Sequence, residues 1–310
     1  MKHVLSISGG GMRGIIPARI LVEIERRTGQ SIADSFDLLA GTSTGGILAC
    51  LAASPETLSA ERAMEFYYES GPRIFQRSLL RDLYSGRGSV HTKYRSAPLA
   101  TELTRCLGHH ILAEARTRLM VTALESRRRA TMVKSWSPDW SHLPMTTAAL
   151  MTSSAQTYFP QTQITRHGLT ESYLDGGNVR NSPMACTAFE AGAIWGFSEP
   201  ITLIHLGTGR ARHPRALPNG GALFWAAEIF DCTTNADDSY DDYFCRGLEL
   251  FVPGFRYHRL DVELDAFPAM DDATPRTLDH LVRETEAALV HDATTLDSII
   301  ATLTNTKVAA

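Results

Sequence analysis

The chain has 310 residues, 44% of them hydrophobic, enough to bury the core of one large domain or two small ones. Lys and Arg number 30 against 34 Asp and Glu, a formal net charge of -4, which excludes the basic excess of a protein that binds a nucleic-acid polymer. The only lysines are Lys2, Lys93, Lys134 and Lys307, so most positive charge is arginine, which suits anion recognition but also follows from codon bias alone.

Val4 to Ser8 reads as a short buried strand. The loop Gly9-Gly10-Gly11-Met12-Arg13-Gly14 follows, then Ile15 to Arg27 with Ile16, Ile20, Leu21 and Ile24 at helical spacing. Phe36 to Ala40 is a second strand, and Gly45 to Ala53 a helix stopped by Ser54-Pro55. Ser43, in Gly41-Thr42-Ser43-Thr44-Gly45, therefore lies at a strand-to-helix turn. Further helices are expected at 60–69, 99–107 and 146–154, with loop over 85–96. Leu119 to Leu124 is a strand, ended by Arg127-Arg128-Arg129. Tyr173-Leu174 leads into Asp175-Gly176-Gly177, and Pro183 opens a helix through Ala193. Ile201 to Leu206 is a strand stopped by Gly207-Thr208-Gly209. The stretch from Pro214 to Asp242 reads as loop-rich and acidic, and 277–303 as one amphipathic helix. Alternating strands and helices imply a mostly parallel, helix-covered sheet. No repeat or linker divides residues 1–310, which read as a single catalytic domain ending in the 277–303 helix.

The widely spaced Cys50, Cys106, Cys186, Cys232 and Cys245 form no Cys-x-x-Cys and read as reduced, buried thiols of a cytoplasmic protein. The apolar run after Lys2-His3 is too short for a signal peptide, and no stretch reaches the roughly 18 apolar residues of a transmembrane helix. Contact with a membrane is expected to be peripheral.

A serine on a tight strand-to-helix turn holds its Oγ clear of the sheet, while small neighbours (here Gly41 and Gly45) avoid collisions across the turn. The helix after it aims its N-terminal N–H groups at the same place. The glycine loop can hold a phosphate, and Gly9, Gly11 and Gly14 match a Gly-x-Gly-x-x-Gly pattern. It lacks the Gly-Lys-Ser/Thr end of a P-loop, and the acidic residues that a dinucleotide site would use, Asp34 and Asp37, frame the strand feeding Ser43. An oxyanion loop accounts for both motifs. The serine needs a base. Asp175 is one candidate, although Asp-Gly-Gly is more often a plain turn. His205 is the other, although a histidine in an apolar strand is more often a satisfied core residue.

The ordered set Gly9 to Gly14, Gly41 to Gly46 and Asp175-Gly176-Gly177 resembles the patatin-like phospholipase family. Similar stretches run over Ser70 to Phe75, Thr152 to Pro160, Leu206 to Gly209 and Ala273 to Leu289, most of the chain. The resemblance implies a three-layer α/β/α sandwich and hydrolysis of membrane glycerophospholipid esters. It implies Ser43 as nucleophile, Asp175 as direct base, no catalytic histidine, and no metal or cofactor. It also implies an oxyanion hole from Gly10, Gly11, Met12 and Arg13, with Arg13 holding the loop, and motif support from Gly9, Gly14, Gly41, Gly45, Gly176 and Gly177. Two positions depart from plant patatins: Ser8 stands where they have Asp, and Gln156 where they have Pro. Some bacterial members are anti-phage effectors switched on by a cyclic nucleotide, which makes a gated effector the alternative reading and a cyclic nucleotide an alternative partner. A non-catalytic nucleotide binder ranks below both, and a homo-oligomer is compatible with either.

Weaker signals have plainer readings. Arg127-Arg128-Arg129 suits a phosphate but reads better as a solvated turn. Asp237 to Asp242 lacks the ligand spacing of a calcium loop and reads as solvated. Leu217 to Phe230, with Phe224 and Trp225, suits a lid, a membrane-facing surface or packing under a loop, and Leu79, Leu80, Leu83 and Tyr84 beside Arg77 and Arg81 suit a membrane-facing edge and ordinary packing equally.

Overall fold

The computed structural model describes residues 1–76, 84–86, 90–166, 168–213 and 219–305. The first apolar run forms β1 (Lys2–Ile7), and the glycines after it close a 3-10 turn (Gly11–Gly14) into α1 (Ile15–Thr28). Gly29 ends α1 at φ 67, the left-handed cap for which glycine has no Cβ penalty. A short α2 (Ile32–Ser35) precedes β2 (Leu38–Gly41), which feeds α3 (Thr44–Ala53). Then come α4 (Ala60–Ile74), α5 (Ser96–Leu107), β3 (Arg118–Glu125), β4 (Arg129–Lys134) and α6 (Met145–Ser153). The chain continues through β5 (Thr162–Arg166), β6 (Leu169–Asp175), α7 (Gly177–Arg180), α8 (Met184–Trp195) and β7 (Ile201–Leu206). It ends with β8 (Arg210–Ala211), α9 (Ala222–Phe251), β9 (Phe255–Leu260), β10 (Glu263–Leu264), α10 (Pro275–His291) and α11 (Ala293–Asn305).

The main sheet has the order β5-β6-β3-β2-β1-β7-β9, with β4 also paired to β3. Its centre is parallel: β2 pairs with β1 and β3, and β7 with β1 and β9. The β3–β4, β3–β6 and β5–β6 pairs are antiparallel. Central strands look continuously apolar because both faces are covered. Alternate residues part to opposite sides: Leu5, Ile7, Leu39 and Val121 pack beneath α1, α3 and α4, whereas Val4, Leu38, Ala40, Met120 and Leu203 pack beneath α8 and α9. This is a three-layer α/β/α sandwich, as expected.

Two expectations are corrected. Much of the stretch read as loop over 214–242 belongs to the 30-residue helix α9, which begins at Ala222. Four of its acidic residues sit on the inward face, where Asp237 and Asp241 meet Arg180, and Asp238 and Asp242 meet Arg259. Ion pairs from distant strands and turns thus offset a charge density that local sequence reads as solvated. The C-terminal helix is two helices. Asp292 caps α10, and its carboxylate accepts from Thr295 Oγ1 at 2.8 Å to start α11.

Candidate active site

The sheet pairings bring two distant turns together. β2 covers the first half of β3, with Gly41 opposite Val121. β4 occupies the other edge of β3 from Met120 to Glu125, so β6 must continue in the lane of β2. It arrives antiparallel and sets Asp175 opposite Ala123. The strand leading to Ser43 and the strand carrying Asp175 therefore end head to head, two residues apart along β3. The meeting point lies at the carboxyl ends of the parallel strands, where open α/β sheets hold ligands.

Ser43 has φ 54, a conformation that side chains rarely adopt and that costs on the order of 1–3 kcal/mol. The turn is too tight for larger flanks. A Cβ on Gly41 would lie 2.2 Å from Gly45 O, and one on Gly45 would lie 2.3 Å from Ile7 O. The Ser43 N–H donates to Thr152 Oγ1 at 2.9 Å, so α6 pins the strained residue. Ser43 Oγ donates to Asp175 Oδ2 at 2.6 Å. The other carboxylate oxygen, Oδ1, accepts from the Gly177 N–H at 2.7 Å. Gly176 is confined too, since a Cβ there would lie 2.0 Å from Thr122 Oγ1. Burial pushes the Asp175 carboxyl up to about 6, against the opposing pull of these two hydrogen bonds.

The glycine loop lies against the same serine. A Cβ on Gly9 would stand 3.1 Å from Ser43 Cβ, and Gly10 lies so close to Thr208 that a Cβ would meet its Oγ1 at 2.4 Å. Thr208 Oγ1 donates to Gly9 O at 2.6 Å, and Arg13 Nε to Gly10 O at 3.2 Å. The Arg13 guanidinium rests 3.9 Å from the centre of the Phe267 ring. The four expected oxyanion donors are not equivalent. The Met12 N–H is taken by Met270 O at 2.8 Å and the Arg13 N–H by Gly10 O at 3.3 Å. Among the described residues, the N–H groups of Gly10 and Gly11 meet no acceptor. Gly14 gives room for the Thr44 and Tyr67 hydroxyls, which bond each other at 2.6 Å.

His205 is fully buried on β7 beneath this loop. Its Nδ1 lies 3.2 Å from Ser6 Oγ, and its Nε2 lies 3.1 Å from Ser8 Oγ and 3.3 Å from Ser182 Oγ. Burial, helped by Arg259, holds its pKa down to about 3. It is a satisfied core residue, and Ser8 belongs to its surroundings. Gln156 Oε1 accepts from Asn178 Nδ2 at 2.6 Å, next to the Asp175 turn.

Ser43 and Asp175 open on a narrow cleft with about 80 Å³ of free internal volume. Met12, Ile47, Phe66, Ile74, Leu99 and Phe159 give it apolar walls. Sequence reading missed Asn181, whose carbonyl oxygen receives the Gly9 N–H at 3.0 Å, and Met270, from another part of the chain. Thr152 and Thr208 lay in the motif stretches, but nothing local assigns them their partners. Of the weaker signals, Arg127 and Arg129 stand exposed beside Glu125 at the β3–β4 turn. Tyr84 is exposed and stacks on His91, while Arg77, Leu79, Leu80, Arg81 and Leu83 lie outside the described residues. So do residues 217 and 218 of the expected lid and the side chain of Phe224; Trp225 is half-buried on α9. Among the described residues, no helix is long and apolar enough to cross a membrane.

Comparison with known proteins fits this geometry. The family model for patatin-like phospholipases matches residues 5–185, which include Ser43, Asp175 and the glycine loop. A cGAMP-activated phospholipase of Pseudomonas aeruginosa is 31% identical over 255 residues, 79% of this chain and 74% of that protein. Patatin-like protein 2 of Oryza sativa is 32% identical over 209 residues, 60% of this chain and 52% of its own length. The chain thus spans about half the length of that plant relative. The crystal structure of VipD from Legionella pneumophila aligns over 96% of this chain and 67% of its own, with a TM-score of 0.46 at 10% identity, too loose to carry an argument. The family model spans more than half of the chain, and the Pseudomonas relative aligns over more than two thirds of it; the chain belongs to the patatin-like phospholipase family, an enzyme family of lipid acyl hydrolases.

Proposed function

We propose that this protein hydrolyses fatty-acyl esters of membrane glycerophospholipids, with Ser43 and Asp175 as a dyad. The observation that carries the reading is the 2.6 Å hydrogen bond from a strained, glycine-flanked serine to a buried carboxylate at the mouth of an apolar cleft. Ser43 Oγ attacks the acyl carbonyl as its proton passes to Asp175 Oδ2. The N–H groups of Gly10 and Gly11 stabilise the negative charge on the carbonyl oxygen. Collapse breaks the ester C–O bond, and the departing alcohol takes the proton from Asp175. Water then attacks the Ser43 acyl ester and gives its proton to Asp175; collapse breaks the acyl–Oγ bond, Ser43 Oγ takes that proton back, and the fatty acid leaves. A carboxyl near 6 is ionised at neutral pH yet basic enough to accept a proton in flight. The apolar cleft takes the acyl chain, and the protein meets its substrate from the membrane surface.

The test is incubation with phospholipid vesicles and with a fluorophosphonate. Release of fatty acid and lysophospholipid, with labelling of Ser43, is expected; Ser43→Ala should do neither. A Ser43→Ala protein that keeps its hydrolytic rate would refute the reading.

A second reading has one supporting observation: the Pseudomonas relative is described as cGAMP-activated. On it, the same hydrolase is an effector restrained until a cyclic nucleotide binds. Phospholipase activity that rises with a cyclic di- or trinucleotide would support it, and full activity indifferent to the whole panel would remove it.

A further inference from the structure

The outer face of α9 is an apolar seam that no described residue covers. Tyr240, Tyr243, Leu250 and Phe251 are 60%, 77%, 80% and 84% exposed, and Phe244 is 39% exposed. With Ala236 and Gly247 they follow the four-and-three spacing of a helix-pairing stripe. The opposite face belongs to the protomer: Asp241 and Cys245 are fully buried, and Leu248 packs on the second core.

We propose that this seam pairs antiparallel with the same seam of a second copy, about a two-fold axis between Tyr243 and Phe244. Such an axis sets Tyr240 over the second copy's Gly247, Ala236 against its Phe251, and Tyr243 against its Phe244. Leu250 then enters the gap between its Ala236 and Tyr240. Large residues meet small ones at the flanks, Tyr240 on Gly247 and Phe251 on Ala236, and two aromatic rings meet at the axis, the self-complementarity a two-fold interface requires. Gly247 points the same way. A Cβ there would meet nothing within 4 Å, so the protomer's own packing does not call for glycine in mid-helix.

Area and charge also favour a second copy. At about 200 Å² for each aromatic side chain, the five exposed side chains offer roughly 600 Å² per copy, near the ~800 Å² per partner of a stable interface. The helix has seven acids and one arginine, and that Arg246 is paired with Asp242, so the seam lacks the basic edge that an anionic membrane surface attracts. Asp237, Asp238, Asp241 and Asp242 are held by Arg180, Arg246 and Arg259 beside the seam, so two copies approach through uncharged residues.

Sedimentation velocity of the full chain tests the proposal, and it reads mass independently of activity. The wild type should be a dimer at micromolar concentration, and Tyr243→Glu should dimerise roughly thirtyfold more weakly with its melting temperature retained. Gly247→Tyr should weaken the dimer similarly by colliding with Tyr240 of the other copy. The exchange Tyr240→Gly with Gly247→Tyr should restore it, because the two-fold axis returns the same pair. A monomeric wild type, a dimer indifferent to Tyr243→Glu, or an exchange that fails to restore would each overturn the proposal. So would a monomer that binds phosphatidylcholine–phosphatidylglycerol vesicles through Tyr243, which would make the stripe a membrane contact.

Discussion

Asp175 and His205 are both buried titratable groups at strand ends beside the glycine loop, yet their surroundings fit them for opposite roles. Asp175 keeps one oxygen on Ser43 and faces the cleft, and burial brings its pKa to about 6. His205 is sealed below the loop, spends both ring nitrogens on serine hydroxyls and holds protons only below about 3. Burial alone therefore does not mark a base. What distinguishes the two is an open path to substrate and a proton affinity near the working pH.

The sharpest way to break this contrast is by substitution. Asp175→Asn should lower kcat by about 10⁴-fold, the order seen when one member of a catalytic unit is removed. His205→Ala should leave kcat within about tenfold, while costing about 2–3 kcal/mol of stability by opening a cavity and orphaning buried hydroxyls. Chemical denaturation and vesicle hydrolysis on both variants separate the outcomes. A folded His205→Ala protein without activity would restore the triad that Asp175 displaced.

The pH profile is the next largest effect. Below about pH 6 Asp175 is protonated in the free enzyme and cannot accept the Ser43 proton. The slope of kcat/KM should then be tenfold per pH unit on the acid side, flattening above about 6. An unchanged rate down to pH 4.5, roughly the ordinary carboxylate range, would remove Asp175 as the base.

Stability carries the same contrast with the sign reversed. The folded pKa of Asp175 is raised, so the folded state prefers the proton. Its favourable contribution is complete below the unfolded value near 3.8 and is lost as pH rises through about 6. Above that, the buried charge costs about 3 kcal/mol. Asp175→Asn should therefore be more stable than wild type by up to that amount at pH 8, with the advantage gone by about pH 4. Urea unfolding at the two pH values measures it. An inactive, less stable Asp175→Asn at pH 8 would mean that the carboxylate is held by interactions stronger than its desolvation.

How much of this was legible follows from how local each signal is. The strand, turn and helix around Ser43 could be read because alternation, glycine placement and helical spacing lie within a dozen residues. Asp175 could be named as a candidate base from its strand and glycine turn, but its choice over His205 rested on the family resemblance, because its meeting with Ser43 depends on β6 entering the lane of β2. The division of the glycine loop into paired and unpaired N–H groups, with Met12 committed to Met270 O, rests on a contact between residues far apart in sequence. α9 was misread because its acids look solvated until Arg180 and Arg259 are supplied by other elements.

Ser8 gives the smallest test. It is the residue before the glycine loop that differs from plant patatins, and its hydroxyl lies between His205 Nε2 and Ser182 Oγ at 3.1 and 3.2 Å. If His205 is only structural, Ser8→Ala removes both of these buried hydrogen bonds, costs about 1–2 kcal/mol and leaves the rate within about twofold. Both neighbours keep another contact: Ser182 Oγ and His205 Nε2 still lie 3.3 Å apart. A large loss of kcat in a stable Ser8→Ala protein would mean that the His205 pocket sets the position of Gly9 and Gly10, and that the two buried groups are coupled through the loop between them.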